Sequence, residues 1–155
     1  MIKYRLDAKG VRPQQLVGFF QGWPKAPSPE THLRLLEGSD HIVLAVDGET
    51  DRVVGFATAV TDGVLAAYVP FVEVLPAYRG RGIARELMQR LRDALRGYNM
   101  IDLVCDPTLE PFYASLGFMR LTAMVLRDYE HQGGRKPEEG GTLSEDRCKT
   151  REDSR

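Results

Sequence analysis

The chain is 155 residues and 17.4 kDa, the size of one domain at roughly 100 to 200 residues each, and with 43% hydrophobic residues it can build an ordinary core without disulfide or metal. Its 21 basic and 22 acidic residues leave a net charge of −1, so there is no electrostatic footprint for nucleic acid or an anionic membrane surface. No apolar run approaches the ~18 residues of a membrane span, and the opening MIKYRLDAKG lacks a secretory signal's apolar block, so a soluble, cytoplasmic protein is expected. Cys105 and Cys148 form no CxxC pair, and His32, His41 and His131 are scattered, so neither a disulfide nor a metal site is assigned.

In chain order, Ile2 to Leu6 reads as a short strand and Pro13 to Phe20 as a short helix offering Leu16, Val17, Phe19 and Phe20. Ser28-Pro29-Glu30 is a helix start, with a capping hydroxyl, proline at the first position and an acid in the first turn; the helix runs to Gly38. The intervening linker, Gly22-Trp23-Pro24, holds the only tryptophan. His41 to Asp47 and Val53 to Val60 are apolar runs joined by hairpin chemistry, Gly48-Glu49-Thr50-Asp51, and a third run covers Leu65 to Leu75. Ile83 to Tyr98 is a helix by period, with Ile83, Leu87, Met88, Leu91 and Leu95 on one side and charge on the other. Met100 to Cys105 reads as strand, Glu110 to Leu116 as helix ended by Gly117, and Phe118 to Tyr129 as strand. The expected fold is α+β, a mixed, mostly antiparallel sheet flanked by helices. The domain is expected to span residues 1–132. Residues 133–155, with six acids and six bases and almost no apolar side chain, are expected to form a disordered polar tail.

The most informative segment is Val72-Glu73-Val74-Leu75-Pro76-Ala77-Tyr78-Arg79-Gly80-Arg81-Gly82-Ile83-Ala84, a strand that breaks at proline and enters the long helix through two glycines. Orphan amide N–H groups converge at such a helix start, missing Cβ atoms admit a phosphate to the backbone, and Arg79 and Arg81 add charge. A dinucleotide-binding Gly-x-Gly-x-x-Gly fails at Arg85, and a P-loop fails at Ile83-Ala84, where Lys-Ser or Lys-Thr belongs.

What fits is the acetyl-CoA loop of the GNAT superfamily of N-acetyltransferases: Arg or Gln, two residues, Gly, one residue, then Gly or Ala. Val-x-Val-x-Pro before the loop, the amphipathic helix after it, and Phe112-Tyr113-Ala114-Ser115-Leu116-Gly117-Phe118 also resemble that superfamily. The resemblance covers about residues 40–130. It implies a sheet splayed between its fourth and fifth strands, with acetyl-CoA as co-substrate. The pantetheine arm would lie along Val72, Glu73 and Val74, whose backbone would offer a donor to the oxyanion. The diphosphate would sit on the amides from Gly80 through Arg81, Gly82, Ile83 and Ala84 to Arg85.

It further implies transfer of acetyl to a primary amine by direct attack through a tetrahedral intermediate. Tyr113 stands at the general-acid position. Asp106 stands where relatives often carry a cofactor-touching asparagine, and it is equally placed to cap the helix after Pro107. The base is Glu73, acting directly or through water, unless that carboxylate instead anchors a neighbouring amide or Arg79; Asp106 is the second candidate and solvent the third. Cys105 beside the cofactor reads as a buried thiol rather than a nucleophile. The acceptor is a small-molecule or peptide amine, with Phe19 to Pro24 either a wall or lid over it or, through Trp23, a pin that holds the helix linker to the core. A homodimer is compatible with the resemblance. The competing readings are a non-catalytic CoA-binding module and a transferase of longer acyl groups.

Overall fold

The run from Val53 to Ala59, apolar but for Thr58, can be satisfied only where both faces of a strand are covered. In the computed structural model, which describes residues 1–137, it lies at the centre of a five-stranded sheet in the order β1-β2-β3-β4-β5. The strands are β1 (Ile2–Arg5), β2 (His41–Asp47), β3 (Val53–Thr61), β4 (Ala66–Val74) and β5 (Met100–Asp102). The first four pair antiparallel in sequence order, and β5 lies parallel to β4. This is the mixed, mostly antiparallel α+β sheet that the sequence predicts.

Helix α1 (Pro29–Gly38) starts as its cap dictates: the Ser28 hydroxyl accepts the Thr31 N–H at 3.2 Å, with Pro29 in the first turn. It covers one face of the sheet through His32 and Leu36, His32 reaching Phe56 of β3. Helix α2 (Ile83–Ala94) covers the other face, burying Ile83, Leu87, Met88 and Leu91. Gly55 makes this approach possible, since a Cβ there would meet Leu87 at 3.2 Å. Helix α3 (Glu110–Ala114) follows a 3-10 turn at Pro107–Leu109 and docks on α2, where Arg92 donates to the Leu116 carbonyl at 2.7 Å.

Four expectations need correction, the first being the length of α2, which ends at Ala94 rather than Tyr98. Pro13 to Phe20 is not a helix: only a 3-10 turn at Pro13–Leu16 forms, because Gly18 (φ 98°) and Phe20 (φ 60°) take left-handed conformations that no helix accommodates. The fifth strand stops at Asp102, three residues earlier than expected. Phe118 to Tyr129 forms no strand at all. Its side chains have strand periodicity but its backbone finds no ladder, and residues 129–131 close it with a 3-10 turn. Residues 133–135 lie against Lys25, Thr31 and Arg34; the remainder of the expected polar tail, from 138 on, falls outside the described residues.

Candidate functional site

The sheet opens where β4 and β5 part. Pairing between them covers only Ala66, Ala67 and Tyr68 against Met100, Ile101 and Asp102, while β4 continues alone to Val74. The Leu75 N–H donates to the Val54 carbonyl at 2.9 Å, which fixes the parity of the strand: Glu73 and Leu75 turn their backbone groups to β3, and Val72 and Val74 turn theirs into the gap. Of the three residues expected to offer backbone groups to a cofactor, Val72 and Val74 turn theirs to the gap and Glu73 does not. The Val74 carbonyl is already taken by Arg79 Nε at 3.0 Å, leaving the N–H and C=O of Val72 and the N–H of Val74.

Beyond the gap, the loop from Pro76 to Gly82 is braced at several points. The Tyr78 hydroxyl donates to Asp47 Oδ2 at 2.7 Å and in doing so holds the Asp47 carboxyl below its ordinary range. Arg81 stacks 5.1 Å over the Tyr78 ring and donates to the Ala77 carbonyl. Gly80 and Gly82 have φ of 72° and 78°, and no protein atom lies within 4 Å of the position a Cβ would take at either. Gly82 is the N-cap of α2 and has no side chain to cap it, so the N–H groups of the first turn face this open space. Arg85, one turn on, donates to Ser115 Oγ at 2.9 Å and sits over the Phe112 ring. A diphosphate fits the residues present: uncapped amides, two glycines, and exposed Arg79, Arg81 and Arg85 on the loop and first turn.

Tyr113 is 8% exposed, and among the described residues its hydroxyl makes no hydrogen bond. Burial, with a smaller contribution from Cys105, pushes its pKa up to about 12. The phenol therefore stays protonated through the neutral range and remains a donor. Cys105, three residues past β5, is raised too, first by burial and then by Glu110 and Asp106; a thiol so placed is a poor nucleophile. Asp106 is exposed and its carboxylate caps nothing, since the Leu109 N–H bonds the Asp106 backbone carbonyl instead. The capping reading is thereby removed.

Glu73 points to the opposite face. It pairs with Phe56 across the ladder, and its carboxylate accepts the Phe20 N–H at 2.9 Å and the Gln21 N–H at 3.2 Å. This acid of β4 thus anchors two amides of the loop before α1. It does not reach Arg79, which is bound to Val74. Above this tether stands a wall of rings: Phe20 lies 5.2 Å from Trp23 and 5.8 Å from Phe71, and Trp23 lies 6.3 Å from Phe71. Trp23, 39% exposed, is the outer member. His32 closes the wall from behind at 4.3 Å from Phe56 and 5.0 Å from Phe20. It is 1% exposed, and neither ring nitrogen has an aligned hydrogen bond. Burial drives its pKa down to about 4, only slightly opposed by the Leu16 carbonyl. The sequence gives Phe71 no role, and His32 figures in it only as one of three scattered histidines. Phe71's place on the same face as Glu73, two residues away, was the available signal; His32 had none. Two surface concavities, of about 580 and 740 Å³, lie elsewhere, one between α1 and residues 130–137 and one on the outer side of α2.

A mixed sheet splayed at one edge, with a glycine loop and helix start facing the gap, is the fold of the N-acetyltransferases. The acetyltransferase (GNAT) family pattern matches residues 9–118, and the chain belongs to that family. A crystal structure of a candidate acetyltransferase from Deinococcus radiodurans R1 is 43% identical, with a TM-score of 0.85, over 87% of this chain and 94% of that one. Serotonin N-acetyltransferase 2, chloroplastic, of Oryza sativa is 38% identical over 101 residues, 63% of this chain and 50% of the relative. GCN5-related N-acetyltransferase 1, chloroplastic, of Arabidopsis thaliana is 30% identical over 119 residues, 74% of this chain and 60% of the relative. The matches thus span half to three-fifths of these plant relatives' length. No helix among the described residues is long and apolar enough to cross a membrane.

Proposed function

We propose that the chain transfers an acetyl group from acetyl-CoA to a primary amine. The observation that supports this reading is a buried phenol, Tyr113, which burial keeps protonated and which lies within electrostatic reach of Cys105, three residues past β5, in a sheet whose β4 runs on past its pairing with β5. Acetyl-CoA supplies an already activated thioester, so the protein's tasks are placement, hydrogen bonding to a developing oxyanion and a proton for the departing sulfur. The uncapped amides from Gly80 to Arg85 hold the diphosphate, with Arg79, Arg81 and Arg85 around it. The Val72 or Val74 N–H donates to the oxyanion. The Tyr113 hydroxyl donates to the sulfur as its bond to the acetyl carbon breaks, and the amine's excess proton leaves through solvent. Asp106 sits at the rim and contacts the pantetheine arm.

Glu73 acts as a positioning residue. Both its oxygens are committed to the Phe20 and Gln21 amides, so it sets the ring wall of Phe20, Trp23 and Phe71 rather than collecting a proton. That wall forms the acceptor side. Its flat apolar surface favours an amine carrying an aromatic ring, in keeping with the name of the rice relative. A thiol-release assay with acetyl-CoA against a panel of amines tests the proposal. Turnover, highest with arylalkylamines, is expected. Acetyl-CoA binding without turnover on any amine would make the chain a binding module, and faster release from longer acyl-CoAs would reassign the donor.

A further inference from the structure

We propose that the concavity between α1 and residues 130–137 binds a compact multivalent anion, a polyphosphate or a phosphate ester carrying several negative charges. It encloses about 580 Å³, within the size range of small-molecule sites. Its lining brings Lys25, Arg34, Arg135 and Lys136 together against a single carboxylate, Glu130. In a chain whose net charge is −1 this is a local excess, and cations gathered into one concavity repel one another unless an anion sits among them. A further basic group in the lining, His131, is held at Nδ1 by Asp128 Oδ2 at 2.8 Å and adds charge only when protonated.

The walls are braced by contacts between distant parts of the chain. The Lys25 N–H donates to Gln132 Oε1 at 3.0 Å, and Arg34 donates to the Arg135 carbonyl at 3.0 Å. Gly134 lets the two segments touch: its φ is 90°, and a Cβ there would stand 2.8 Å from Thr31 Cγ2. Its N–H donates to the His131 carbonyl at 3.0 Å, closing the turn that leads into Arg135 and Lys136. The cationic side chains therefore project from a fixed frame. No Phe, Tyr or Trp lines the space, and its apolar lining is limited to Ala26, Pro137 and two glycines. A nucleobase would find no aromatic face to stack on, which favours bare phosphate groups over a nucleoside. The glycine loop leads into α2 on the opposite face of the sheet from α1, so the two anion sites share no residue.

Calorimetric titration of the full chain with inorganic triphosphate, at fixed ionic strength and with and without saturating coenzyme A, tests the site. One triphosphate should bind in the presence of coenzyme A with a Kd of about 100 μM or tighter, and sulfate at least tenfold more weakly. The double variant Lys25→Glu, Arg34→Gln, in which Gln keeps a donor for the Arg135 carbonyl, should weaken triphosphate at least tenfold. Gly134→Ala changes no charge but forces the walls apart, and should weaken it severalfold with thermal unfolding still cooperative. Absence of binding at millimolar triphosphate would overturn the proposal. So would a signal that coenzyme A abolishes, which would belong to the glycine loop, or equal affinity for sulfate or in both variants, which would reduce the effect to diffuse surface charge.

Discussion

Lowering the pH from 7.5 to 4.5 places a proton on His32 in the unfolded chain and not in the folded one. Its folded pKa of about 4 lies below the ordinary 6.5, so between those values the unfolded state binds more protons and stability must fall as the pH falls. The contribution is complete above 6.5 and is lost progressively down to about 4. The drop corresponds to about 3 kcal/mol at 1.36 kcal/mol per decade, of which about 2 to 3 kcal/mol is gone by pH 4.5. Urea unfolding followed by far-UV circular dichroism at constant ionic strength should show it. With a slope of roughly 1 to 3 kcal/mol per molar, the midpoint should move by about 1 to 2 M. The depressed carboxyls of Asp7, Asp47, Asp62 and Asp128 titrate below 3.8 and stay outside this window. His32→Phe keeps a ring among Phe19, Phe20 and Phe56, leaves no polar atom stranded and should flatten the profile. A wild type with level stability over this range, or a variant that keeps the wild-type slope, would refute the argument.

Gly82→Asp puts a carboxylate and a Cβ into the open space at a left-handed N-cap and should weaken acetyl-CoA by tenfold or more in calorimetry; unchanged affinity in a folded variant removes the loop from the site. Tyr113→Phe keeps the ring contacts with Phe112 and Phe118 and should lower kcat about 10- to 100-fold with acetyl-CoA affinity retained, whereas parallel loss of both marks a structural tyrosine. Trp23→Ala should raise KM for the amine far more than for acetyl-CoA; a fall in Tm with both KM values unmoved would assign the ring to packing alone. Glu73→Gln leaves one acceptor for two amides and should raise the amine KM severalfold with kcat at saturation nearly kept, and a lost kcat at constant KM would identify the carboxylate as the base.

Local chemistry made the loop, the α1 cap and the amphipathic face of α2 legible, because each depends on residues within a turn or two of one another. The splay followed only from the family resemblance, and the parity that leaves Val72 and Val74 facing the gap required the register of β3. Glu73 shows where reading from sequence runs out: its partners, the Phe20 and Gln21 amides, lie 53 and 52 residues upstream, and nothing in either segment announces the other. Phe118 to Tyr129 fails differently. Its alternation is real, but a strand exists only with a ladder partner, and among the described residues this stretch has none.

Asp47 joins two parts of the molecule that chemistry alone would keep separate. One carboxylate oxygen accepts the Glu49 N–H at 2.9 Å and shapes the turn between β2 and β3, while the other holds Tyr78. The hairpin tip and the loop are thus set by a single side chain, like two arms on one pivot. Lengthening or shortening residues 48–51 would rotate that carboxylate and carry Tyr78, Arg81 and the two glycines with it. A turn at the margin of the sheet, remote from any reacting atom, is for that reason under the same geometric constraint as the loop, and drift in its length would be read out as a change in anion affinity.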